Sequence, residues 1–130
     1  MLGRKDFTAD ERGAAKAAVA QTLDAFAAAG SPAALEHVYF NNALLALDRR
    51  FVHRVRMVTG KDCTPLNEAE LLVASLMDND GALTLNTVLK YDAGQSVLGL
   101  EPGEPIRLTA AQFERLATAM LDELDQKFGG

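Results

Sequence analysis

Arg49, His53 and Arg56 stand four and three residues apart inside the stretch LDRRFVHRVRMVTGKD, Leu47 to Asp62, which holds four arginines, a histidine, a lysine and two aspartates. On an α-helix, where each residue turns about 100°, these three side chains and Asn42 fall within about 60° of one another on a single polar ridge. Two guanidinium groups with an imidazole between them suit a carboxylate or a phosphate, held by charge-assisted and partly bidentate hydrogen bonds. The same spacing also describes a solvated helix face with no ligand at all.

Asn41 and Asp48 raise a second possibility. They lie on the same helical wheel between a core stripe (Phe40, Leu44, Leu47, Phe51, Val55, Val58) and a second apolar set (Val38, Leu45, Val52), with His37 close by. On a central helix they are at least partly buried and need partners, either in a structural hydrogen-bond or ion-pair network or as pocket groups facing a small molecule.

Other motifs fail on their own chemistry. In DNDGALTLNTVL, placing Gly81 at the sixth position of a calcium loop puts Leu76 first and Thr87 last, where acidic ligands are required. Glu36-His37 lacks the spacing of di-metal bundles, and two histidines with one cysteine make a poor zinc set, so neither metal nor cofactor is expected. TGKD has neither the upstream glycine nor the following Ser/Thr of a phosphate loop. Cys63, in the loop after His53, is a conceivable nucleophile, but the spacing is not diagnostic. No residue is therefore assigned a catalytic role.

Composition bounds the rest. The chain has 130 residues, 48% hydrophobic and 24% charged, enough for one domain with a real core. No stretch approaches the roughly 18 apolar residues of a membrane span, and acidic residues near the start argue against a signal peptide. A single cysteine suits a reducing cytoplasm. The net charge of −5 is uneven, with four arginines against two acidic groups in residues 31–60 and eight acidic against three basic groups in residues 61–108. Such a field repels phosphate backbones, so neither nucleic acid nor membrane is expected as a partner.

Four helices must position these residues. Thr8 with Glu11 forms a capping box opening a helix to about Ala29, ended by Gly30. Ser31 and Pro32 then read as cap and first position of a long second helix, to Val58, ended by Gly60. A third helix is capped by Asn67, buries Leu66, Ala69, Leu72, Val73, Leu76 and Met77, and ends at DNDG. SVLGL and PIRL flank EPGE, whose Pro102 and Gly103 suit a type II turn, and predict a small β-hairpin. Thr109 with Gln112 opens the last helix, whose stripe is Phe113, Leu116, Ala117, Met120, Leu121, Leu124 and Phe128. The fold class is thus mostly α: a four-helix single domain over residues 1–130 with a hairpin between the third and fourth helices.

The runs YFNNALLALDRRFVHRVRMVTGKD, TPLNEAELL, LKYDAGQSVLGL and GEPIRLTAAQF together resemble a family of small bacterial conserved hypothetical proteins. The resemblance covers most of the chain after Ser31. It implies a compact cytoplasmic domain and carries over no activity and no catalytic residue. Two readings follow: a non-enzymatic binding or self-assembling domain, working as a homodimer, and a small-molecule or enzymatic site for an anionic ligand on the second helix, using Arg49, His53, Arg56, Asn41 and Asp48.

Overall fold

The computed structural model describes residues 7–51, 60–78, 81–86 and 89–128. Helix α1 spans Ala9–Ala28. Its start is the reciprocal box the sequence predicts: the Glu11 N–H donates to Thr8 Oγ1 at 3.1 Å and the Thr8 N–H to Glu11 Oε1 at 2.8 Å. At its end the Gly30 N–H donates to the Ala27 carbonyl and the Ser31 N–H to the Phe26 carbonyl. This bond pair needs a left-handed residue, supplied by Gly30 at φ 89°.

Ser31 therefore belongs to the end of α1 and is not the cap of the next helix. Pro32 is extended and precedes a short 3₁₀ turn, Ala33–Leu35. Helix α2 follows as Glu36–Arg49, shorter than the expected run to Val58. The chain tightens at its end, with Arg50 and Phe51 N–H groups donating to the Leu47 and Asp48 carbonyls. Val52, His53, Val55, Arg56 and Val58 lie outside the described residues. Phe40, Leu44, Leu47 and Phe51 are buried, as their spacing predicts.

Helix α3 is Pro65–Asp78. Thr64, not Asn67, caps it: Thr64 Oγ1 accepts from the Asn67 N–H at 3.4 Å, and Pro65 takes the first position, where its missing N–H matters least. Asn67 sits inside the first turn, and its amide donates to the Gly60 and Asp62 carbonyls at 3.1 and 2.9 Å. Leu66, Ala69 and Leu72 are buried as expected, and Leu71, Glu68 and Ser75 with them. Met77 is a correction, since it is 67% exposed.

The hairpin is a second correction. The turn at Pro102-Gly103 exists, closed by the Glu104 N–H on the Glu101 carbonyl with Gly103 at φ 89°. SVLGL and PIRL do not pair across it. The chain after the turn instead meets the segment that follows α3, through a single antiparallel bridge between Ala82 and Pro105 and bonds that include the Leu83 N–H to the Glu104 carbonyl and the Ile106 N–H to the Gly81 carbonyl. No sheet forms among the described residues. The N–H groups of Val97 and Leu98, in SVLGL, bond to a side chain from α3 and are not offered to a neighbouring strand.

Helix α4, Ala110–Phe128, opens with the predicted Thr109–Gln112 box and buries Phe113, Leu116, Ala117, Met120, Leu121 and Leu124. The side chain of Phe128 lies outside the described residues. This helix packs against α1, α2 and α3, and the core is continuous around it. Phe40 links the layers, with ring centroids 4.9 Å from Phe26 of α1 and 5.3 Å from Phe113 of α4. Phe7 is buried edge-on against Phe51 at 4.9 Å, which fixes the entry to α1 beside the end of α2. No helix among the described residues is long and apolar enough to cross a membrane.

Candidate functional site

The five residues that the sequence offers as a site take different positions. The Asn41 side chain donates to the Ile106 carbonyl at 2.9 Å and accepts from the Leu108 N–H at 3.1 Å. An amide that both gives and takes along an extended segment does the work of a neighbouring strand, so Asn41 holds the approach to α4. Asp48 is buried and Arg49 is exposed, and both line one groove with Leu45 and Ala46 of α2 and Val73 and Met77 of α3. His53 and Arg56 lie outside the described residues. Asn42, expected on the ridge with Arg49, is exposed and donates to the Val38 carbonyl of its own helix at 2.8 Å.

The α2–α3 groove encloses about 400 Å³. Its lining is mostly aliphatic, with Met77 on the lip and Arg49 at the end of the α2 wall. Val38 lies two helical turns before Leu45 on the same side of α2, and is half exposed at 50%. Leu35, just before α2, is exposed as well. Elsewhere, the groove between α1 and α4, about 310 Å³, is framed by Lys16, Glu114 and Asp122, charged groups that suit a wetted seam. Beside it Asp125 of α4 meets Lys16 at 2.7 Å and Arg12 at 3.5 Å, while the buried Arg12 Nε has no hydrogen-bond partner among the described residues.

Sequence reasoning missed a second cluster. Glu68 of α3 is 2% exposed, and its two carboxylate oxygens accept from the N–H groups of Val97 and Leu98 at 2.7 and 3.1 Å. Tyr91 donates to the Leu100 carbonyl, and the Cys63 thiol donates to the Asp92 carbonyl at 3.6 Å. Burial pushes Glu68 above its ordinary carboxylate value, opposed by the two N–H groups and by Arg115. Burial likewise raises Tyr91, against its bond to Ser96, and Cys63, against its bond to Asp92. A raised thiol holds less of the reactive thiolate at neutral pH, which argues against Cys63 as an activated attacking group. The cluster pins the loop 89–100 onto α3. A signal for it was present: Glu68 and Ser75 share a stripe with Leu71 and Leu72, and a polar residue on an apolar stripe needs a specific partner.

Two further carboxylates work the same way. Glu123 of α4, buried, accepts from the Leu66 N–H in the first turn of α3 at 2.8 Å and from Lys127 at 2.6 Å. Glu36, in the first turn of α2, accepts from the Ala110 N–H that opens α4 at 2.8 Å. Each places negative charge at a helix N-terminus, where the helix dipole favours it.

Comparison with models of protein families, with curated proteins and with solved structures gives no match, in keeping with a resemblance confined to hypothetical proteins without an assigned activity.

Proposed function

We propose that this chain is a non-enzymatic binding domain that self-assembles as a homodimer, and that the outer face of α2 and α3 is its contact surface. The observation that carries the reading is Met77, 67% exposed on the lip of an aliphatic groove of about 400 Å³. Val38 and Leu35 continue the apolar character along α2. Large aliphatic side chains gathered around a concavity favour a partner, since covering them contributes about 25 cal/mol per Å² of apolar surface removed from water. Three further carboxylates and Asn41 are bonded to backbone within the fold, which supports an assembly role for the body of the domain. The half-buried single cysteine, Cys63, suits a reducing, cytoplasmic setting.

A second reading, an anionic small molecule held in the same groove, has Arg49 in its favour. Against it, the rest of the lining is mostly aliphatic and offers an anion little beyond that one guanidinium. Sedimentation velocity over a concentration series tests both. A dimer in the wild type that Met77→Glu and Val38→Glu each convert to folded monomer supports the first reading. A monomeric wild type at every concentration refutes it, and a thermal shift with inorganic phosphate that Arg49→Ala abolishes supports the second.

A further inference from the structure

We infer that residues 90–99 form a strap that lifts off α3 as one piece while the four helices stay folded, with the buried Glu68 carboxyl as its latch and the ionisation of that carboxyl as its release. The inference is independent of the proposed self-association.

The strap is wired mostly to itself. Its ends are held by Leu89 and Leu100, both buried in the core. Between them no side chain is buried, and Tyr91, Val97 and Leu98 only lean against the core. Inside the strap the Asp92 carbonyl accepts from the Gln95 and Ser96 N–H groups, each at 3.0 Å, and Ser96 Oγ donates to the Ala93 carbonyl at 3.0 Å and accepts from the Gly99 N–H at 2.8 Å. Tyr91 donates to the Leu100 carbonyl and so closes the base. A compact loop with its ends together and its own internal bonds keeps its shape when it moves.

Outward ties are few among the described residues. The Lys90 N–H donates to the Lys61 carbonyl at 2.7 Å, at the base, and the Cys63 thiol reaches the Asp92 carbonyl at 3.6 Å. The remaining two bonds, at 2.7 and 3.1 Å, both end on Glu68. A segment with little buried apolar surface and one main anchor opens at lower cost than the core it rests on. Lifting uncovers the Glu68 carboxyl and the Cys63 thiol together.

The same anchor sets the response to pH. Glu68 is buried and makes no ion pair among the described residues. The charged and titratable groups around it are the exposed Arg115 of α4, Cys63 ahead of α3, and Tyr91, Asp92 and Glu101 on the strap and at its far end. Burial outweighs the two N–H groups and Arg115, so the closed strap holds the carboxyl above its ordinary 4.5, whereas lifting returns it to water. The closed form therefore binds the proton more tightly than the open form. Lifting is least favoured below 4.5 and gains as pH rises through the closed-state value. Burial also keeps Cys63 and Tyr91 above their ordinary 9.0 and 10.0, so neither ionises near neutral pH.

The test is amide hydrogen exchange on the full chain, wild type and Glu68→Gln, from about pH 5 to about pH 8, with each rate divided by that of an unstructured amide at the same pH. In wild type Val97 and Leu98 should share one opening constant, at least about tenfold above that of Met120 in the α4 core and unmoved by dilute urea that speeds Met120. That constant should rise at least about threefold across the pH range. Glu68→Gln should keep the shared opening and lose the rise. Val97 and Leu98 amides that open only together with Met120, with the same urea response, overturn the strap. A wild-type constant that stays level or falls with pH, or an equal rise in Glu68→Gln, overturns the latch. The wild-type results decide the proposal even where Glu68→Gln does not fold.

Discussion

Glu68 offers the sharpest test of how this fold is held. Its carboxylate accepts two backbone N–H groups from the loop 89–100, at 2.7 and 3.1 Å, from a position 2% exposed. Hydrogen bonds to a charged group contribute about 1.5–3 kcal/mol each, and an orphaned buried donor costs about 1–3 kcal/mol. Against this stands the desolvation that raises the carboxyl above its ordinary value of 4.5. Glu68→Ala loses both bonds and gains relief from desolvation, so the net cost should be about 2–4 kcal/mol in urea unfolding at neutral pH. Glu68→Gln keeps one acceptor and turns an N–H₂ toward the other donor, so about half of that loss is expected. The sign of the pH effect follows from the raised value. The folded state binds the proton more tightly than the unfolded state, so this group's contribution is full below the ordinary value and falls as pH rises through the folded one. Wild type should therefore lose stability relative to Glu68→Gln as pH climbs above the ordinary value of 4.5. Amide hydrogen exchange reads the loop directly, with Val97 and Leu98 losing protection first in both variants. Unchanged urea midpoints together with unchanged exchange at those two amides would refute the reasoning.

Other expectations are checked by the same denaturation assay. Asn41→Ala removes the bonds to Ile106 and Leu108 and should cost about 1–3 kcal/mol, with faster exchange at the Leu108 amide. Ser75→Ala strands the Thr84 N–H, which Ser75 Oγ accepts at 2.9 Å from a fully buried position, and should cost about 1–2 kcal/mol. Gly30→Ala meets no neighbouring atom within 4 Å, so the cost should be backbone strain alone, about 1–2 kcal/mol. Lys16→Ala should change stability by less than about 1 kcal/mol, whereas Asp125→Ala, which also takes the partner from the nearly buried Arg12, should cost more and keep its effect at higher salt.

What the sequence makes legible follows the range of the interaction. The boxes at Thr8–Glu11 and Thr109–Gln112, the stop at Gly30 and the turn at Pro102-Gly103 are closed within a few residues, and each is where its local pattern places it. The stripes of α2 and α4 are legible for the same reason, since four buried positions at helical spacing define a face. Thr64 was readable as well, standing just before Pro65, but Asn67 offered a rival cap three residues on. Met77 was not readable. It continues the apolar side of α3 in sequence, and only the placement of α2 leaves it outside. The hairpin fails on the same ground: whether Val97 pairs with a strand or with a carboxylate depends on Glu68, 29 residues away. Within the candidate site, spacing put Arg49 on an outward ridge, where it is exposed, but could not foresee that Val73 and Met77 complete a groove beside it.

The three carboxylates that reach across the fold bear on how it is assembled in time. A helix end is ordinarily closed by its own neighbours within a turn. Here the opening N–H of α4 is closed by Glu36, 74 residues earlier, and the first turn of α3 by Glu123, 57 residues later. Helix termini have thereby become some of the longest sequence separations in the chain. An excised α3 or α4 peptide that includes Thr64 or Thr109 keeps its local cap but lacks the distant carboxylate that takes one further N–H of the first turn, and should fray more there than in the intact chain. In the intact chain those ends keep their local caps, Thr64 and the Thr109–Gln112 box, and gain the remaining bond only after distant helices have docked, which ties the completion of each first turn to the packing of the whole fold.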